Sequence, residues 1–365
     1  MEAIQTLKSY LRSLNVGRPI THENLNLFPV TDGHSNALSY LLLEEALATG
    51  KLRVTERGQA SVPELHLINE TEQMVFMMDG EALVGAKQNR TLNTSILAAA
   101  KSSFAIPVSC VEQGRWAYAG REMRHGSITY PDLRKLKHRS VHDSLHFGGS
   151  YHSDQGRIWQ SVHAKLKSMK VGSATANMEE VYSAHESPIK GFTDNLAYPE
   201  GACGVIAAIE GTITCADLFD SASTLEKLWT RLVSSYAMDA LEASFQRRHV
   251  RAGGTAAPSA SASAAQSGGP SGGQADRPSA TAKADTGAAV TEKEAAEFLQ
   301  IPEDAETEVF DSPGLGGNVR FRHSRCSGHA LVYDETTVHA AVFGPDEQPA
   351  APDRPIRRPS QRRPV

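Results

Sequence analysis

Glu64-Leu65-His66-Leu67-Ile68-Asn69 and Met74-Val75-Phe76-Met77-Met78-Asp79 decide the fold class of this chain. Both are short apolar runs closed by a turn-forming residue, and Leu52 to Glu56 just before them is a third. Runs of this kind, split by turn residues, are the signature of antiparallel strands. Asp79-Gly80 reads as a hairpin turn, because a type I′ turn needs the positive φ that Asp and Gly tolerate. Thr91 to Ala98 and Ile106 to Glu112 continue the sheet, and Leu25 to Val30 adds a strand upstream. Gly204 to Thr214 predicts a hairpin turning at Glu210-Gly211. Val319 to His323, His329 to Tyr333 and Val338 to Phe343 read as strands, the last two joined at Asp334-Glu335.

Helices surround these strands. Ile4, Leu7, Leu11 and Leu14 recur at helical spacing with Gly17 as a C-cap, which predicts an amphipathic helix over residues 2–16. Ala37 to Ala48 reads as a second helix stopped by Gly50. Residues 131–170 are helical with a break at Phe147-Gly148-Gly149, and Thr224 to Phe245 places Leu225, Leu228, Trp229, Leu232, Val233 and Tyr236 on one face. Residues 252–292 are almost entirely Gly, Ala, Ser, Pro and Thr. Such a stretch cannot bury enough surface to offset its ordering entropy, so a flexible linker is expected. The strands beyond it and a short helix near Glu292 to Leu299 are too little to fold alone.

The expected architecture is therefore α+β: an antiparallel, strand-rich core, sandwich- or barrel-like, with packed helices and a disordered insertion. Residues 1–19 hold the N-terminal helix, and residues 20–251 with 293–344 form one domain across the linker at 252–292. A basic, Pro-rich tail at 345–365 is expected to be disordered.

The formal charge of −5 implies no general attraction to nucleic acid or to a membrane surface. Cys110, Cys203, Cys215 and Cys326 are scattered with no CxxC pair, which argues against a zinc ribbon, a thioredoxin motif or a dense disulfide framework. The N-terminus lacks a signal-peptide pattern, and no apolar run reaches the ~18 residues that span a bilayer. A cytoplasmic location is the expectation.

Residues 79–116 concentrate the candidate chemistry. Lys87 and Arg90 can clamp a phosphate or carboxylate, one as a point charge and the other as a planar fork. Gln88 and Asn89 can read an amide or a base edge. Glu81 and Glu112 are candidate acid–base groups if burial raises their pKa. Arg115 and Trp116 complete the set. The competing reading is a structural polar network, with Cys110 a buried thiol, Glu112 paired to an arginine and Trp116 in the core. A carboxylate beside Cys110 makes it a poor nucleophile.

His138, His142 and His146 share one helical face, but the third lies ~12 Å from the first, too far for one ion. The segment is cationic, which suits an anion and opposes a metal, so no metal is assigned. Pro313 to Arg320 is glycine-rich but lacks a P-loop ending, and Arg320 makes an anion contact plausible.

The runs LNLFPV, EEALATGKLRVTE, MDGEALVGAKQNRTLNTSIL and PVSCVEQGRW together resemble the ARG and Rhodanese-Phosphatase-superfamily-associated domain family, ARG standing for ADP-ribosylglycohydrolase. QGRIW, GVIAAIEGTITCADLFD, GLGGNVRF and ALVYDETTVHAAVF also fit, so the resemblance covers residues 20–345 apart from the linker. It implies one interrupted domain and, by association, a role linked to ADP-ribose or phosphate-bearing molecules. The resulting expectation is a binder of a nucleotide- or ADP-ribose-like anion, with hydrolase or transferase chemistry open and no cofactor assigned. Glu81, Lys87, Gln88, Asn89, Arg90, Glu112, Arg115 and Trp116 would form its site. The alternative is a non-catalytic interaction module that scaffolds ADP-ribose- or phosphate-processing partner enzymes.

Overall fold

Gly204-Val205-Ile206-Ala207-Ala208-Ile209 is apolar at every position because both of its faces are covered, as expected for a central strand. Around it the computed structural model describes residues 1–32, 38–56, 63–115, 117, 120, 122–253 and 289–345. In chain order the described elements begin with α1 (Glu2–Ser13), β1 (Leu14–Val16), β2 (Ile20–His22), β3 (Leu25–Asp32), β4 (Tyr40–Leu42) and α2 (Leu43–Ala48). Next come β5 (Leu52–Thr55), β6 (Glu64–Asn69), β7 (Met74–Met77), β8 (Glu81–Gly85), β9 (Arg90–Leu92), β10 (Ile96–Ala98), β11 (Ser102–Cys110) and β12 (Met123–Ile128). Four helices follow: α3 (Pro131–Gly148), α4 (Gln155–Ser168), α5 (Met178–Ala184) and α6 (Glu186–Asn195). The chain then forms β13 (Gly204–Ile209), β14 (Thr212–Phe219), α7 (Ala222–Gly253), α8 (Glu292–Gln300) and a 3-10 turn at Ile301–Asp304. It closes with β15 (Glu306–Asp311), β16 (Gly317–His323), β17 (Cys326–Tyr333) and β18 (Thr336–Phe343).

The largest sheet has nine strands, in the order β1-β3-β13-β14-β18-β17-β16-β15, with β2 also on β3. Val205, Ala207, Cys215 and Ala341 face a core under α7, while Ile206, Ala208, Ala216 and Val342 face a second core with Leu7 and Leu11 of α1 and Phe298 of α8. A six-stranded sheet (β12-β8-β9-β11-β6-β5) and a three-stranded one (β10-β7-β4) enclose a third core with α2. All pairs are antiparallel except β4 with β7. The fold is thus α+β and antiparallel, as the sequence predicts. No described helix is long and apolar enough to cross a membrane.

Most predicted strands form. The Glu210-Gly211 turn takes positive φ at both residues (52° and 79°), which closes the β13–β14 hairpin. Three expectations change. Helix α1 ends at Ser13, not at residue 16, because Leu14–Val16 pairs in register with Val30–Asp32. The predicted Ala37–Ala48 helix begins at Leu43, since Tyr40–Leu42 is a strand on β7 and residue 37 lies outside the described residues. Asp79-Gly80 is not a hairpin turn. Only Gly80 has positive φ (86°), and Glu81 N–H donates to the Met78 carbonyl at 3.2 Å, a type II geometry. Its arms enter different sheets, β7 on β10 and β8 on β12. Most of the predicted linker (254–288) and the tail from 346 lie outside the described residues.

The glycine-rich stretch before β16 serves contact between sheets. Leu315 N–H donates to the Leu97 carbonyl of β10 at 2.8 Å, and a Cβ on Gly314 would sit 2.3 Å from that same oxygen. Gly314→Ala is expected to destabilise the fold by about 1–3 kcal/mol through overpacking against a backbone that cannot yield. The check is the urea midpoint, which should fall at unchanged slope.

Candidate functional site

The loop from Gly85 (φ 139°) through Ala86 (φ 43°) turns β8 toward β9 and exposes two carbonyls to Arg115. Arg115 donates from Nε to both Glu112 oxygens (3.0 Å each) and from Nη2 to Glu112 Oε2 (2.7 Å) and Asn89 Oδ1 (2.9 Å). It also donates to the carbonyls of Ala86 (2.7 Å), Ala117 (3.2 Å) and Gly85 (3.3 Å). Glu112 accepts in addition from Asn89 N–H (3.1 Å) and the Thr175 hydroxyl (2.8 Å). Burial pushes the Glu112 carboxyl up, but the Arg115 and Thr175 bonds outweigh it and hold its pKa below the ordinary value. Asn89 Nδ2 donates to Asn177 Oδ1 at 3.1 Å, and Asn177 caps α5. This clasp ties the β8–β9 loop to the segment before α5.

Arg90 lies beside it, buried, with Nη1 donating to Gln88 Oε1 at 3.1 Å and Nη2 3.6 Å from Glu56. Gln88 Nε2 donates to the Gln113 carbonyl (3.0 Å), and Lys87 N–H donates to Glu56 (3.3 Å). Cys110 is buried opposite Arg90 in the ladder, and burial pushes its thiol up to about 11. Glu81 stands in a separate group: Oε1 accepts from Arg231 (2.7 Å) and Oε2 from Met78 N–H (2.8 Å). The structure thus brings Gln88, Asn89, Arg90, Glu112 and Arg115 together, buries most of them in mutual bonds, and sets Glu81 apart. Trp116 lies outside the described residues.

A second polar cluster lies where α3 crosses the nine-stranded sheet. Arg134, Lys137, His138, Val141 and His142 form the buried stripe of α3. Arg134 donates to Asp217 of β14 through Nη1 (2.8 Å) and Nη2 (2.6 Å), and its Nε reaches Asp79 at 3.3 Å. Lys137 Nζ stands 3.0 Å from Asp79 and also donates to the Leu92 carbonyl. Burial raises both aspartyl groups, but these cations outweigh it and hold them below the usual carboxylate range.

Ser95 accepts from Asp79 N–H (2.9 Å), its hydroxyl is hydrogen-bonded with His339 Nδ1 at 2.8 Å, and His339 Nε2 faces Asp217 at 3.4 Å. Those are the residue types of a serine-hydrolase triad. All three are shut from solvent, however, and the Asp217 charge is already held by Arg134 and the Tyr236 hydroxyl (2.6 Å). The relay orders the interior.

Arg320, on β16, is the exception in this interior. It is 0% exposed, and it donates to Asn318 Oδ1 (2.9 Å) and the His138 carbonyl (3.3 Å), with His138 Nδ1 at 3.2 Å. It forms no ion pair with a described carboxylate, and its Nη2 has no hydrogen-bond partner. Burial brings its pKa down to about 10, so it remains charged at neutral pH. His329, 1% exposed, stacks on His138 at 5.4 Å and has no partner at either ring nitrogen. Burial, then Arg320, holds both imidazoles well below their ordinary pKa. Tyr151 covers the guanidinium, its ring centre 5.6 Å away.

A sequence model of the ARG and Rhodanese-Phosphatase-superfamily-associated Protein domain matches residues 13–285. The chain belongs to this family. The match takes in the Glu112–Arg115 clasp and α3 and stops before β15, so Arg320, His329 and His339 lie beyond it. No curated protein and no solved structure matches the chain.

Sequence reasoning flagged Arg320 and His138 singly. It missed Asp217, His329 and His339, which carry no motif and meet only through strand pairing.

Two predictions follow from these networks. Arg115→Met leaves Glu112 buried without its counter-charge and should cost about 3–5 kcal/mol, with partial recovery in Glu112→Gln/Arg115→Met. An unchanged urea midpoint in the single variant would instead mark Arg115 as free to grip a ligand.

The second concerns acid. The unfolded chain protonates His138 and His329 below about pH 6.5, whereas the folded chain holds them neutral, so each unit of acidification below that point removes ~1.4 kcal/mol of stability for each. The low-pKa pair Asp79 and Asp217 adds its loss only below about pH 4. His329→Phe should flatten the melting-temperature profile between about pH 6.5 and 5. Parallel wild-type and variant profiles would count against it.

Proposed function

We propose that this member of the family is a binder of a small oxyanion, held at the buried group of Arg320, His138 and His329. The observation that carries the reading is Arg320, a charged guanidinium buried with no described counter-ion and with an unbonded Nη2. A buried charge without a bonded counter-ion costs several kcal/mol, and Asp79, the carboxylate whose field reaches it, is already paired with Lys137 (3.0 Å) and Arg134 (3.3 Å). An anion accepting from Nη2, with His329 donating from one ring nitrogen, would satisfy both groups at once.

The family description names ARG and the rhodanese-phosphatase superfamily. A phosphate-bearing ligand, as expected from the sequence, suits that company. In this reading the anion site moves from Lys87, Gln88, Asn89, Arg90 and Arg115 to Arg320. The Glu112–Arg115 clasp and the Glu81–Arg231 pair then serve as framework. No acid–base role is proposed for Glu81 or Glu112, because the oxygens of both already accept from arginine and from backbone N–H. Association with partner enzymes is compatible with a non-catalytic binder of this kind.

Thermal unfolding with inorganic phosphate, sulfate, AMP and ADP-ribose tests the proposal. Phosphate at a hundred times its dissociation constant should stabilise the wild type by about 2.7 kcal/mol, a shift of several degrees. Arg320→Met should fold, since replacing an uncompensated buried charge by an apolar chain of similar size is neutral or favourable, and should lose the shift. Response to AMP and ADP-ribose but not to phosphate would mean that the ligand is read mainly outside this group. Equal shifts in wild type and Arg320→Met, or none in either, would overturn the assignment.

A further inference from the structure

Beyond His138, the same face of α3 carries His142 and His146, four residues apart, and both meet the edge strand β15. Glu308 of that strand stands between them. Its Oε2 lies 3.5 Å from His142 Nε2, and its Oε1 lies 2.9 Å from His146 Nδ1. Two imidazoles one helical turn apart can share an ion, and a further ligand has to come from another element. Here β15 supplies it.

The cationic character of α3, which speaks against a metal when the sequence is read alone, is largely discharged in the fold. Arg134 is paired with Asp217 and Lys137 with Asp79. Arg322, whose charge reaches His142, is held by Asp143 at 2.7 Å, and Arg320 lies deeper, against His138. No described lysine or arginine pairs with Glu308, whose partners are the two histidines.

Asp132, Asp239 and Glu242 bring three carboxylate oxygens closer together, within 4.8 Å of one another, but the Lys165 ammonium already sits among them, 2.6 Å from Asp239 and bonded to Glu242. The histidine group holds no such cation. As it stands, Glu308 gives each ring a different oxygen. The His146 and Glu308 side chains are 51% and 40% exposed, so both can rotate between staggered positions to bring two nitrogens and a carboxylate onto one ion. His142, with its side chain 10% exposed, is the fixed ligand.

The geometry points to His142, His146 and Glu308 as a binding site for a divalent transition metal of the zinc class. Imidazole nitrogen suits zinc, copper and nickel, whereas magnesium and calcium take oxygen sets. Two nitrogens and one carboxylate leave a fourth tetrahedral position for water or a small ligand, and the exposure of His146 puts that position at the surface. The inference does not rest on the oxyanion proposal: His138 faces Arg320, while His142 and His146 face Glu308.

The test uses the untagged full chain, with zinc affinity measured by competition against a chromogenic chelator. Zinc should bind one-to-one, and excess magnesium should not displace it. His146→Ala and Glu308→Gln should each weaken zinc by at least about tenfold, since even the outer partners of a metal site are worth about ten- to a hundredfold. Both should leave the melting temperature without zinc nearly unchanged, because the pairs they remove are at the surface. Asp132→Asn, in the group that Lys165 occupies, should leave zinc affinity as it is. Absence of saturable zinc binding would overturn the inference. So would displacement by magnesium, equal affinity in wild type and both histidine-group variants, or a loss confined to Asp132→Asn.

Discussion

The fork between Arg134 and Asp217 is the interaction on which the interior depends. Asp217 stands in the middle of the nine-stranded sheet, where a carboxylate without a partner would not stay ionised. Two parallel bonds from one guanidinium supply the geometry that offsets the loss of hydration. Because Arg134 belongs to α3, the fork fixes that helix against β14. The Tyr236 hydroxyl ties α7 to the same oxygen pair, and His339 brings in β18. The third arm of Arg134, toward Asp79, sets the turn at which the chain passes from the small sheet to the six-stranded one.

From that anchor the polar interior divides into two kinds. The Glu112–Arg115 clasp is closed: every donor on the guanidinium has an acceptor, and both carboxylate oxygens are occupied. Such a network specifies a loop and leaves no capacity for a ligand. The group around Arg320 is unsaturated by comparison, with an unbonded Nη2 and a histidine bare at both nitrogens. Native interiors rarely leave such groups unpaired, and that contrast is the ground of the oxyanion proposal.

Much of the fold was legible because it rests on local rules. Gly204–Phe219 reads as a hairpin from its apolar run and its Glu-Gly turn, and β16, β17 and β18 read likewise. Where legibility failed, a tertiary partner had overridden a local preference. Leu14 continues the helical spacing of α1 but pairs with Asp32, and Tyr40–Leu42 sits in a helix-forming stretch but pairs with β7. The edge strand β15, polar or charged at four of six positions with Val309 and Phe310 adjacent and none of its residues buried, gave no signal. In the candidate site, Glu112 and Arg115 could be matched from their three-residue spacing. Asp217 and His339 are 122 residues apart and could not.

The sequence alone determined the class of the fold, most of the strands that carry the cores and the family to which the chain belongs, because apolar period and turn chemistry act over a few residues. It also gathered charged and amide side chains into one stretch, residues 79–116. Only the tertiary structure decided which of them are already neutralised. That outcome depends on distances set by α3 crossing four strands, where the difference between 2.6 Å and no partner separates a structural arginine from one that lacks a counter-ion.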